Sequence, residues 1–167
     1  EIESFYEETL KQESPIDLPW WHAGRRKPKS REERRLIASM VRANSVIHRA
    51  AGENPKYNGM GTTCVGAFFV EEGVMIAHVG DSRCYRLRGD ELRQMTEDHS
   101  LANEYIRSKI LRPEDLPSFP YKNVITRAIG LQDTVEVETN FYEHADGDIY
   151  LLCSDGLSDP VKEPQMR

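Results

Sequence analysis

Apolar and polar positions change period several times along this chain, and each change marks an element. Residues 3–12 set Phe5 and Leu10 among acidic and polar neighbours, which reads as the tail of a helix without a capping signal in front of it. The stretch SPIDLPWWHAGRRKPKS mixes prolines, paired tryptophans and basic residues without a period, and reads as a loop. Ser30 and Glu33 then have capping-box spacing. Leu36, Ile37, Met40, Val41, Ile47 and Ala51 follow at helical intervals as far as Gly52.

From Thr62 the pattern turns to short apolar runs. TTCVGAFFV and VMIAHV, joined through Glu71-Glu72-Gly73, predict a buried hairpin. CYRLR and ELRQM around Arg88-Gly89-Asp90 predict a second hairpin, and Thr96–Ser100 leads into a helix predicted over 101–111. Pro113, Pro117 and Pro120 predict an irregular excursion. Alternation in VEVETNFYEH, a turn at Asp146-Gly147-Asp148 and the run IYLLC predict two closing strands, the second a buried one ending at Ser154-Asp155-Gly156. Hairpins with segregated helices place the chain in the α+β class with a mostly antiparallel sheet.

Composition narrows the function classes. A chain of 167 residues with 38% hydrophobic content supports the core of one domain. Its formal charge of -6 argues against sequence-independent binding to nucleic acid or to an anionic membrane. Cys64, Cys84 and Cys153 have neither CxxC nor Cys/His spacing, and read as buried free thiols of a reducing compartment. No apolar run reaches the roughly 18 residues of a spanning helix, and the N-terminal residues lack the basic and apolar regions of a signal peptide. A cytoplasmic protein is expected.

The candidate chemistry lies in carboxylates at strand ends. Asp81 beside Gly80, Asp98 after ELRQM and Asp155 before Gly156 all stand where a side chain emerges from a sheet edge. Three such carboxylates can converge on a hard divalent cation, which takes oxygen ligands and keeps several waters. Each also has a plainer reading: an Asp beside Gly is commonly a turn residue, and Asp98 is placed to cap a helix. Residue type and spacing leave both readings open.

Taken together and in order, GMGTTCV (59–65), VGDSRCYRLR (79–88), TEDHS (96–100), VITRAIG (124–130) and LLCSDGLSD (151–159) resemble the bacterial PP2C-type phosphatases over about residues 30–160. The resemblance implies a PP2C-like β-sandwich of two antiparallel sheets flanked by helix pairs, present here in part, with residues 1–167 forming a single phosphatase domain. It implies two Mg²⁺ or Mn²⁺ ions and a third, weaker site. Asp155 matches a ligand of the dinuclear centre and Asp98 matches a contributor to the third site. Asp81, Ser82 and Arg83 match a block that supports the centre, and Arg127 matches an internal ion-pair partner, with direct phosphate contact as its second reading. Residues 101–123 occupy the place of the variable flap, where Tyr105, Arg107, Lys109 and Arg112 are candidates for substrate choice; a solvated helix face explains those charges equally well.

The implied activity is hydrolysis of phosphoserine and phosphothreonine in proteins by an Mg²⁺- or Mn²⁺-activated hydroxide, without a phosphoenzyme. Phosphorylated proteins and a cognate Ser/Thr kinase are the implied partners. No cysteine stands in the CX5R arrangement of a thiolate phosphatase.

The chain also departs from the family pattern. An opening strand with a phosphate-holding Arg, an Asn-Glu-Asp block, an Asp-Gly-Met-Gly-Gly-His block and a late Asp-Asn block are missing from these residues; Gly59-Met60-Gly61 follows Asn58 and precedes two threonines, so it belongs to the later block. A fragment lacking the N-terminal and C-terminal metal-binding blocks is expected, with apolar sheet surface exposed. The alternative is a non-catalytic PP2C-like pseudophosphatase acting as a binding or regulatory module, against which the retention of Asp98 and Asp155 argues. Trp20, Trp21 and His22 with Arg25, Arg26 and Lys27 read either as a docking surface or as a loop burying its aromatics. His78 reads as a core residue, His99 as within reach of the metal cleft, and His48 and His144 carry no signal.

Overall fold

The computed structural model describes residues 2–10, 16–18 and 28–166, and these fall into two compact units. The first contains the chain up to Thr62 together with Ile129–Thr139. Its helices are α1 (Ile2–Leu10) and α2 (Arg31–Glu53). Ser30 caps α2, its Oγ accepting the Glu33 N–H at 3.0 Å. The returning half of the predicted capping box differs, because Glu33 is 1% exposed and takes its donors elsewhere: the Lys29 N–H and the Thr139 hydroxyl. The N-terminal half of α2 is buried around its whole circumference, from Arg35 through Val41, rather than along one stripe.

Arg35 donates from Nη2 to the Thr9 carbonyl at 2.6 Å, and the Arg42 guanidinium lies 5.3 Å from the Phe5 ring centroid, tying α2 to α1. Asn44 holds the returning segment: it accepts the Gly130 N–H at 2.7 Å and donates to the carbonyls of Gln132 and Asp133. The side chain of Leu10 and the Trp20, Trp21, His22, Arg25, Arg26 and Lys27 loop lie outside the described residues.

The second unit, Thr63–Ala128 with the chain from Asn140 on, carries the sheets. Strands β1 (Cys64–Val70) and β2 (Gly73–Val79) pair antiparallel from Cys64↔Val79 to Val70↔Gly73. Strand β3 (Arg83–Arg88) pairs antiparallel with both β4 (Glu91–Gln94) and β6 (Ile149–Cys153), and the β3–β4 turn closes at Arg88↔Glu91. With β5 (Glu138–Tyr142), the sheet orders are β1-β2-β5 and β4-β3-β6. Val74, Ile76, Cys84 and Met95 form the buried core, with Val65, Ala67, Tyr142 and Tyr150 packed against it, so both sheets contribute to one hydrophobic layer. The class is α+β with antiparallel sheets, as the pattern predicts.

Several elements depart from expectation. The first hairpin is buried along β2 only, and Phe69 of β1 is 52% exposed. The predicted buried strand β6 leaves Ile149 and Leu152 exposed, because it forms the edge of its sheet and is flanked on one side only. Helix α3 (Leu101–Arg107) stops short of residue 111; Lys109 takes a left-handed φ of 59°, which ends the turn. The irregular excursion contains a 3-10 turn over Pro113–Ser118. Strands β5 and β6 are consecutive in sequence yet belong to different sheets, so the Asp146–Asp148 turn passes from one sheet to the other. Of the three free thiols only Cys84 is fully buried. No helix among the described residues is long and apolar enough to cross a membrane.

Candidate metal centre

Three stretches of backbone meet at one end of the second unit. At the β2–β3 turn, Gly80 has φ 102°, and a Cβ there would overlap Thr63 Cγ2, so glycine alone fits. His99 grips this turn from both sides, accepting the Gly80 N–H on Nδ1 at 3.0 Å and donating its own N–H to the Gly80 carbonyl at 3.0 Å. Those two bonds bring Asp81 to Asp98. The segment before β5 is stitched alongside: the Thr126 N–H donates to the His99 carbonyl at 2.8 Å and the Leu101 N–H to the Val124 carbonyl at 2.9 Å.

The third stretch follows β6. Asp155–Ser158 make one helical turn, α4, extended by the Asp159 N–H donating to the Asp155 carbonyl at 2.9 Å. Positions i, i+3 and i+4 share a helix face, and Asp155, Ser158 and Asp159 all line the same pocket.

That pocket is polar, about 60 Å³, and is completed by Asp81, Arg83, Asp98, Ser100, Lys122 and Asn123. Arg83 binds the Asp98 carboxylate through Nε at 2.9 and 3.1 Å and Nη2 at 2.6 Å, and Gln94 Nε2 adds a donor at 3.1 Å. The pairing with Asp98 raises the Arg83 pKa further above its ordinary value. Burial pushes the Asp81 carboxyl up, and the neighbouring charges of Asp155 and Asp98 push it the same way. A carboxylate so placed gains from a cation beside it. With Asp98 committed to Arg83, Asp81, Asp155 and Asp159 supply anionic oxygens, and Ser100, Asn123 and Ser158 supply neutral ones. That all-oxygen donor set suits a hard divalent ion.

Sequence reasoning named Asp81, Arg83, Asp98 and Asp155, and the structure brings all four to this pocket. It gives Asp98 no capping role, since Ser100 caps α3 by accepting the Asn103 N–H. Ser82 hydrogen-bonds Thr63 Oγ1 at 2.8 Å, and Arg127 Nη1 lies 3.4 Å from His99 Nε2. His99 is 3% exposed and stacked on His78 at 4.6 Å, and it does not line the pocket. The flap candidates are also placed elsewhere. Tyr105 packs on Phe119, Arg107 pairs with Glu97 and Arg112 with Asp115, while Lys109 sits in the turn that ends α3. Lys122, Asn123, Ser158 and Asp159 were not singled out in advance. The i, i+3, i+4 spacing in SDGLSD could have revealed the last two; nothing in the proline-broken stretch before Lys122 could.

The second unit thus combines two antiparallel sheets with a carboxylate pocket whose oxygen donors suit a divalent cation. A family model described as protein phosphatase 2C matches residues 7–167, and the chain belongs to that family. It is 48% identical over 131 residues to the serine/threonine phosphatase stp of Listeria innocua, covering 78% of this chain and 52% of that protein. Among solved structures it is similar to the serine/threonine phosphatase Stp1 of Staphylococcus aureus, with a TM-score of 0.74, 32% identity, and coverage of 98% of this chain and 62% of that one. It is also similar to the catalytic domain of the serine/threonine phosphatase PstP in complex with two manganese ions, with a TM-score of 0.67, 36% identity, and coverage of 78% and 54%. The chain spans about half the length of the curated relatives it matches.

Proposed function

We propose that this chain is the part of a cytoplasmic protein serine/threonine phosphatase that carries one wall of its metal centre. In this reading residues 1–167 belong to a single phosphatase domain, with 101–123 as its flap-like segment. The observation that carries the reading is the convergence of Asp81, Asp98, Asp155 and Asp159 on one pocket. Asp155, and Asp81 in place of the Asp98 that the family resemblance implies, would hold the cation directly, because Asp98 is engaged by Arg83 and contributes its charge at longer range. Mg²⁺ or Mn²⁺ bound there supplies activation of water and neutralisation of phosphoryl charge.

The chain's own residues do the positioning. His99 fixes the turn that carries Asp81, and α4 presents Asp155 and Asp159 from one face. The substrates are phosphoserine and phosphothreonine proteins, with a cognate Ser/Thr kinase supplying them. Relatives named serine/threonine phosphatases, and one crystallised with two manganese ions, support the reading.

The test is hydrolysis of p-nitrophenyl phosphate and a phosphothreonine peptide with Mn²⁺, with EDTA, and by Asp155→Ala. Because the chain spans about half of its relatives, the assay is run on this chain and on the full-length protein that contains it. Mn²⁺-dependent turnover lost in Asp155→Ala is expected from the full-length protein. A folded full-length protein that stays silent with Mn²⁺ would overturn the reading in favour of a pseudophosphatase.

A further inference from the structure

The carboxylate pocket is lined by a basic side chain to which the proposed hydrolysis assigns no role. Four aspartates line it against two basic side chains, Arg83 and Lys122. Arg83 is fully engaged, since its Nε and Nη2 donate to Asp98 and its Nη1 to the Tyr85 hydroxyl at 3.1 Å. Among the described residues that line the pocket, Lys122 is the one other basic side chain beside Asp81, Asp155 and Asp159. Lys122 has no ion pair among the described residues, and it belongs to the end of the flap-like segment. Its backbone is anchored close by, through the Val124 N–H to the Tyr121 carbonyl at 3.1 Å and the Val124 carbonyl to Leu101. The side chain itself is exposed.

We propose that Lys122 is a built-in counter-cation that competes with divalent metal for Asp81, Asp155 and Asp159. This rests on reading the pocket as a metal centre. An ammonium group is suited to the role because it is a compact point charge with three rotatable donors on a flexible four-carbon stem, so it neutralises carboxylates without demanding a fixed geometry. A divalent ion brings twice the charge and takes carboxylate oxygens as ligands, so it displaces the ammonium when its concentration suffices. The exchange makes the metal affinity of the pocket depend on a residue that need not touch the metal. It also makes a residue at the end of the flap-like segment sensitive to metal occupancy.

The experiment is Mn²⁺ binding to the full-length protein that contains this chain, read from the loss of the free-ion EPR signal, for wild type, Lys122→Met, Lys122→Arg and Asp155→Ala. Lys122→Met removes one positive charge from the pocket, and the expected result is about three- to tenfold tighter Mn²⁺ binding. Lys122→Arg should stay close to wild type, and the gap between wild type and Lys122→Met should narrow in about 1 M salt, where charge interactions at exposed sites are screened. Unchanged affinity in Lys122→Met, or equal tightening in Lys122→Arg, overturns the proposal. Binding that Asp155→Ala abolishes but Lys122→Met leaves alone overturns the counter-cation while keeping the metal centre. Absence of Mn²⁺ binding in wild type and Lys122→Met alike overturns both.

Discussion

Arg83 encloses the Asp98 carboxylate with three hydrogen bonds, the shortest 2.6 Å, while Asp98 retains only 13% side-chain exposure. The pair joins β3 to the segment that leads into α3. Removing the guanidinium in Arg83→Met leaves a mostly buried carboxylate with Gln94 as its remaining side-chain donor. A loss of about 1–3 kcal/mol in urea denaturation is expected, discounted from a fully buried pair because Arg83 keeps some solvent contact. Arg83→Lys should recover less than half of it, because one ammonium cannot reproduce the two-nitrogen fork. Full recovery by lysine would mean that charge alone, and not the fork, holds Asp98.

The turn preceding Asp81 makes a sharper demand on its residue. Gly80 has φ 102° and its Cβ position is already filled by Thr63, so Gly80→Ala combines backbone strain with a steric clash. Destabilisation of about 1–3 kcal/mol is expected. Gly52→Ala, in α2 with no atom near its Cβ position, should instead stabilise by about 0.5–1 kcal/mol. Thermal denaturation of the two variants side by side separates position from residue type; equal effects would refute the strain argument.

How far the sequence carried is visible in these same residues. The hairpins at Glu71-Glu72 and Gly89-Asp90 were legible because apolar runs and turn residues specify local pairing. The meeting of Asp81, Asp98 and Asp155 at one pocket was legible because carboxylates beside glycine or at strand ends are conspicuous. Exposure of β6 was not legible, since an apolar run does not reveal whether it lies in the middle of a sheet or at its edge. The short length of α3 was hidden for a different reason: Ile110 and Leu111 fit the helical period, yet their N–H groups both turn back to the Tyr105 carbonyl. Lys122 reaches the pocket through backbone bonds to α3 and the segment before it, a tertiary relation with no local signature.

The crossing between the two sheets carries its own pH dependence. Arg88 pairs with Asp148 at 2.7 Å and holds that carboxyl well below the usual range, with the Ala145 N–H acting in the same direction. A folded-state pKa below the unfolded value contributes stability that is present above about pH 4 and is lost as pH falls further. The difference in urea midpoint between wild type and Arg88→Met should therefore be constant from about pH 7 to pH 5 and shrink below about pH 4. A gap that persists undiminished to about pH 2 would assign the effect to packing of the Arg88 stem.

At the alkaline end the sign reverses. Burial, and secondarily the charge of Cys153, push the Cys84 thiol up from 9.0 to about 11. In the unfolded chain the thiol loses its proton first as pH rises, so the unfolded state is favoured progressively between about pH 9 and pH 11. Stability should fall across that window in wild type and fall less steeply in Cys84→Ala. The alanine variant starts from a lower baseline because it opens a cavity beside Val74 and Ile76, so the slope against pH is the readout. Thiol labelling at about pH 8 gives an independent check: the half-buried Cys64 and Cys153 should react in the native protein, and Cys84 only once denaturant is added. Parallel pH profiles for wild type and Cys84→Ala, or native-state labelling of Cys84 at the rate of Cys153, would show that this thiol is not shielded by the sheet-to-sheet core.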